Sequence, residues 1–272
     1  GKDCFAAWLW LRFAVVGESS DMQSSDISRA LESWYERAGG AEMLVDVRSE
    51  LQPILDLAFG YHVLQFGPLA RHCLIAGSPI NHHLVASDSP VGEPSLLCHG
   101  DELPLEGDSV DMLVAFHALE FSAHPHACLR EMQRVLRPRG HLVIIGFNPR
   151  SLSGLLRGLR RRRSDSLWAE HQPVSAHRLT DWLHLVDCEV EEIRHLHHLP
   201  FVGRGRVRRG IEVVDRWAMR QGLPGGSVYL AHALKQIPGA RRPRLVRLAT
   251  EPRLAGLAVG GRPTPTPRQP RT

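Results

Sequence analysis

Residues 96–148 read LLCHGDELPLEGDSVDMLVAFHALEFSAHPHACLREMQRVLRPRGHLVIIGFN, and their order decides the fold. The apolar run Met112-Leu113-Val114-Ala115-Phe116 follows the turn Glu106-Gly107-Asp108 and has the length and bounding of a buried strand. A helix follows, with Pro125 near its first turn and Cys128, Leu129, Met132, Val135 and Leu136 at helical spacing. The sequence Arg137-Pro138-Arg139-Gly140 is expected to stop that helix. Residues 141–147 (HLVIIGF) then form the most apolar strand in the chain, as a strand covered on both sheet faces requires. Strand, helix and strand joined by short turns predict a parallel, doubly wound α/β sheet.

Working outward, residues 62–67 (HVLQFG), 82–87 (HHLVAS) and 95–98 (SLLC) supply three earlier strands. Residues 25–60 read as helical, with Ser25 or Asp26 as a cap and Leu31, Trp34 and Tyr35 on one face. Gly39-Gly40 is expected to break this helix, and a second one runs from Ala41 toward Phe59, kinked or restarted at Pro53. Downstream, Ser175 caps a helix over 175–186 with Leu179, Trp182, Leu183 and Val186 on one face. Residues 189–196 and 227–234 read as two late strands. The expected organisation is an N-terminal extension over 1–24, one domain over 25–238, and an Arg/Pro-rich disordered tail over 239–272.

The formal net charge of +4 is unevenly placed. Residues 240–272 hold eight Arg and one Glu, a balance of +7, which leaves −3 for everything before them. The basic character therefore belongs to the tail and does not by itself mark a nucleic-acid-binding core. Five scattered cysteines have no metal-ligand spacing and fit a reducing, cytoplasmic compartment. The apolar run at 5–16 has 12 residues, too few to span a bilayer. It reads either as an extension ahead of a natural start at Met22 or as the apolar part of a secretory signal.

Five blocks within 96–148 carry a family resemblance. They are Leu103-Pro104, Ser109-Val110-Asp111, His117-Ala118-Leu119-Glu120, Leu129-Arg130-Glu131, and Arg134-Val135-Leu136-Arg137-Pro138-Arg139-Gly140. In this order the chain resembles the class I S-adenosylmethionine-dependent methyltransferases, and among them the type 11 group. The resemblance implies a Rossmann-like, mostly parallel sheet closed by an antiparallel hairpin, which the two late strands suit. It implies S-adenosylmethionine as cofactor, bound at the carboxyl ends of the strands.

It also implies site residues. The family's glycine-rich turn after the first strand falls on Leu64-Gln65-Phe66-Gly67-Pro68-Leu69-Ala70, where Gly67 survives. Gln65 replaces the acid, and Pro68 and Leu69 stand where the backbone is usually bare. An upstream segment, Asp56 to Gly60, offers a second alignment. Asp88, 21 residues after Gly67, falls at the spacing of a ribose-binding carboxylate, or else belongs to an Asp-Ser-Pro turn. The position that meets adenine in the family is His99 here, with Asp101 two places on. His117 follows the strand 112–116 and is the candidate general base. The expected cofactor-lining set is thus Gly67, Asp88, Asp101 and His117.

Other chemistries find less support. The clusters His82-His83, His124-x-His126 and His195-x-His197-His198 lack carboxylate or Cys partners at metal-ligand spacing, and no Gly-x-Ser-x-Gly elbow occurs. Arg runs at 157–163 and 204–209 lack interleaved aromatics for base stacking. The expected function is transfer of a methyl group from S-adenosylmethionine to an unidentified acceptor. Two other readings stay open: a catalytically inactive binding or regulatory protein of the same fold, and an Arg-rich nucleic-acid-binding protein.

Overall fold

A computed structural model of the chain describes residues 18–151, 154, 172–197, 214 and 225–237. The apolar runs become the strands of one seven-stranded sheet. These are β1 (His62–Phe66), β2 (His82–Ser87), β3 (Leu96–Leu97), β4 (Val110–Phe116), β5 (Leu136–Phe147), β6 (Cys188–Leu196) and β7 (Val228–Lys235), in the order β3-β2-β1-β4-β5-β7-β6. The pairs from β3 to β5 are parallel, and β7 runs antiparallel between β5 and β6. The expected closing hairpin is present. Strand order reverses between β1 and β4, so the switch point of the sheet lies there.

The helices that pack on the sheet among the described residues include α1 (Glu18–Glu36), α2 (Ala38–Leu55), α3 (Pro125–Val135) and α4 (Ala176–Leu185). None of the described helices is long and apolar enough to cross a membrane. Period-2 alternation sends Val63, Met112, Val114, Val143 and Ile145 to one sheet face, against Leu31 and Tyr35 of α1 and Met43, Val47 and Leu51 of α2. Leu64, Leu113, Ala115, Leu142 and Ile144 face the other way, onto Cys128, Leu129 and Met132 of α3 and Leu179 and Leu183 of α4. Ser175 caps α4 as expected, its hydroxyl accepting the Arg178 N–H at 3.4 Å.

Several boundaries differ from expectation. Helix α1 begins at Glu18 rather than at a cap of Ser25 or Asp26. The break falls at Arg37, and Gly39-Gly40 lie inside the first turn of α2. A Cβ on Gly40 would stand 2.5 Å from the Trp34 carbonyl oxygen, so glycine there permits the tight pass between two helices. Pro53 is accommodated within α2, which ends at Leu55 instead of near Phe59. Residues 137–140 do stop α3, but they do so as a bulge inside β5. Val110 pairs with Leu136 and Met112 already with His141, while Arg139 adopts φ 67°.

The largest difference lies between β1 and β2. Residues 67–81 hold only a 3-10 turn, Ile75–Gly77, and the two following crossovers also lack an α-helix. Strict alternation of strand and helix therefore fails in the first half of the sheet, and α1 and α2 cover the face that crossover helices would have covered. Lys235, at the end of β7, ties the antiparallel part of the sheet to this core. Its buried ammonium donates to Asp108 at 2.7 Å and to the carbonyls of Gln133 and Leu136 at 2.8 and 2.7 Å.

Candidate functional site

The carboxyl ends of β1 to β4 border a small cleft of about 30 Å³ that is partly open to solvent. Phe66, Gly67 and Pro68 arrive from β1, Asp88 from β2, Gly100 from β3, and Ala118, Phe121 and Ser122 from β4. Ser24 and Ile27 close it from α1.

Gly67 has φ 150°, and a Cβ there would lie 2.0 Å from the Phe116 carbonyl oxygen. Backbone from β1 and β4 meets at this point, so only glycine fits. Its loop is held by Gln65, a buried side chain that reaches three backbone groups. The Leu74 N–H donates to Oε1 at 2.7 Å, and Nε2 donates to the carbonyls of His72 at 3.0 Å and Leu69 at 3.5 Å. An amide can do both; a carboxylate in its place could not donate. Leu69 turns fully into the core under α1 and α2, so Pro68 alone of that pair reaches the cleft. The alternative alignment on Asp56 fails. That residue caps the C-terminus of α2, bonded to Gln52 at 2.8 Å.

Asp88 stands on the cleft wall, where the Ser24 hydroxyl donates to Oδ2 at 3.2 Å. The turn that follows is carried by serines: the Ser89 N–H donates to the Ser87 hydroxyl at 3.1 Å and the Val91 N–H to that of Ser89 at 3.2 Å. Asp101 is exposed on the turn after β3 and does not line the cleft; its neighbour Gly100 does. A Cβ on Gly100 would lie 2.7 Å from both Cys128 Sγ and the Phe66 ring. Burial, reinforced by Asp101 and then Asp88, pushes the Cys128 thiol far up. Burial and Asp88 likewise push Cys98 up to about 12. Both thiols beneath the cleft stay protonated and inert.

His117 requires a correction. It is 0% exposed and does not border the cleft. A backbone φ of 56° turns its side chain into the core under α1, where its ring stacks on Phe147 with centroids 4.2 Å apart. Nδ1 faces the buried Glu120 carboxylate, which also accepts the Phe147 N–H at 2.9 Å. A carboxylate only accepts, so Nδ1 carries the proton and Nε2 accepts the Tyr35 hydroxyl at 2.6 Å. With both nitrogens engaged and no access, His117 is a structural pin between α1 and the sheet edge rather than a base. Sequence reasoning missed Ser24, Ile27, Phe121 and Ser122. Of these, only the pair after β4 carried a signal, its position at a strand's carboxyl end.

The family model described as a methyltransferase domain, type 11, matches residues 55–144. The Escherichia coli (strain K12) protein YafS is 30% identical over 178 residues, covering 65% of this chain and 72% of that protein. The chain belongs to the class I S-adenosylmethionine-dependent methyltransferases. Within that family, the ubiquinone/menaquinone biosynthesis C-methyltransferase UbiE of Paraburkholderia phymatum is 34% identical over 61 residues, spanning 22% of this chain and 25% of that protein. The methyltransferase solved in complex with the Haloferax volcanii Trm112 activator superposes with a TM-score of 0.57 at 17% identity, covering 78% of this chain and 98% of that one.

The family's cofactor can be tested against the cleft. Asp88 offers acceptors for a ribose diol, Gly67 leaves its backbone bare, and Ile27, Phe66 and Phe121 give apolar walls. These residues fit a nucleoside. The methyltransferase lacks, however, a helix N-terminus after β1.

Proposed function

We propose that this methyltransferase binds S-adenosylmethionine in the switch-point cleft and transfers its methyl group to an acceptor. The observation that carries this reading is the convergence of Gly67, Asp88, Gly100 and Ala118 from four successive strand ends on one cleft where the strand order reverses. When bound, the cofactor supplies a methyl carbon made electrophilic by its sulfonium. The chain's residues then bind and orient. Asp88 accepts the ribose hydroxyls, Phe66 and Phe121 exclude water, and His117 with Glu120 fixes the backbone that leads to Ala118. Rate enhancement comes chiefly from alignment of the acceptor with the methyl–sulfur bond.

A second reading, an inactive binding protein of the same fold, draws support from the first crossover, where a Gln-held loop replaces a helix. Calorimetry with S-adenosylhomocysteine tests the binding that the enzyme reading requires. The enzyme reading expects binding, weakened about tenfold or more in Asp88→Asn through loss of charge-assisted hydrogen bonds. No heat at millimolar ligand would sink it.

A further inference from the structure

Helix α1 lies upstream of the segment that matches the family model, yet it reaches across the carboxyl edge of the sheet. Its C-terminal end is fastened, by Tyr35 to His117 and by Trp34 packed edge-on against Phe147 with centroids 5.3 Å apart. Its other half reaches the cleft through Ser24 and Ile27. Ser24, Ser28 and Glu32 follow at steps of one helical turn and so share a face. Ser28 is fully buried and Glu32 is 8% exposed, and neither Ser28 Oγ nor Glu32 Oε1 has a hydrogen-bond partner among the described residues. A helix packed only for stability buries apolar side chains on such a stripe, because unmet buried polar groups are destabilising.

Resting on the reading of the cleft as a methyl-donor site, we infer that α1 is its roof and that Ser24 is a binding residue. A vicinal diol presents both donors and acceptors, whereas the Asp88 carboxylate only accepts. The Ser24 hydroxyl rests its single proton on Asp88 Oδ2 at 3.2 Å, and rotates it onto a diol oxygen once the diol's own hydroxyls donate to that carboxylate. Together the acid and the hydroxyl complement a ribose edge, and Ile27 covers the apolar part of the same ligand.

The test is calorimetry on the full chain with S-adenosylhomocysteine and with its 2′,3′-dideoxy counterpart. Ser24→Ala is expected to bind S-adenosylhomocysteine about fivefold more weakly than wild type, the effect of one lost hydrogen bond, and to bind the dideoxy compound unchanged. Ile27→Ala is expected to weaken both ligands. Equal affinity of wild type and Ser24→Ala, tighter binding by Ser24→Ala, or an equal loss for the two ligands would overturn the assignment of Ser24 while leaving the methyl-donor reading intact. Failure of the wild type to bind either ligand overturns both.

Discussion

Replacing Gln65 with glutamate exchanges one NH2 for an oxygen and keeps the shape, so its effect isolates what the amide donates. In the wild type Nε2 meets the His72 carbonyl at 3.0 Å, with a weaker contact to Leu69 at 3.5 Å. A carboxylate would turn a bare oxygen toward both. Buried without a donor, the new carboxyl takes up a proton instead of staying charged. The cost is then capped by that protonation: about 1.4 kcal/mol per pH unit above an unfolded pKa near 4.3, or about 4 kcal/mol at about pH 7.5 and about 1 kcal/mol at about pH 5. The sign follows from a folded pKa raised above the unfolded one. Destabilisation is small near the unfolded pKa, grows with pH, and levels off above the folded pKa. Gln65→Leu also leaves the Leu74 N–H unmet, and is expected to cost about 2–4 kcal/mol at every pH. Urea denaturation followed by tryptophan fluorescence at the two pH values measures both. Gln65→Glu as stable as wild type at the higher pH, or equally weakened at both, would refute the argument.

Two further outcomes are expected. Tyr35→Phe leaves Nε2 of fully buried His117 without its donor and should lower stability by about 1–3 kcal/mol in urea melts, while leaving S-adenosylhomocysteine affinity within about twofold, since neither residue borders the cleft. Burial alone would raise the Asp111 carboxyl, but the N–H groups of His62 and Tyr61 at 3.0 and 2.7 Å and the Arg137 guanidinium at 2.9 Å together hold it below the usual range. A depressed folded pKa gives stability that is present above the unfolded value of about 3.9 and is lost as pH falls through the folded one. The stability gap between wild type and Asp111→Asn should therefore shrink on acidification; a gap that stays constant in acid would contradict it.

The segment 96–148 was legible because its periods are local. Strands β1 and β2 and the Ser175 cap lie within a residue of where pattern and capping rules put them. The misplaced features share a different cause, a partner far away in sequence. His117 owes its burial to Tyr35, 82 positions earlier, and to a positive φ that no local pattern announces. Gly67 is needed because Phe116 crosses it. Residues 18–24 carry no apolar repeat, so the start of α1, and with it Ser24, was invisible until Asp88 gave it a partner. Asp101 had the right chemistry but sits exposed on a turn outside the cleft lining.

The coverage of the sheet by α1 and α2 has a consequence for what counts as a module here. A fragment cut to residues 55–144 would keep β1 to β4 and the apolar side chains of Val63, Met112, Val114 and Val143, but would shed Leu31, Tyr35, Met43, Val47 and Leu51, which cover them. It would also strip β7 from the open flank of β5. Such a piece has a naked apolar face beside an unpaired strand, a combination that favours self-association over folding. The span matched by the family model is therefore narrower than the span that can stand alone, and transplanting the cleft into another protein would require carrying both N-terminal helices and the late hairpin with it.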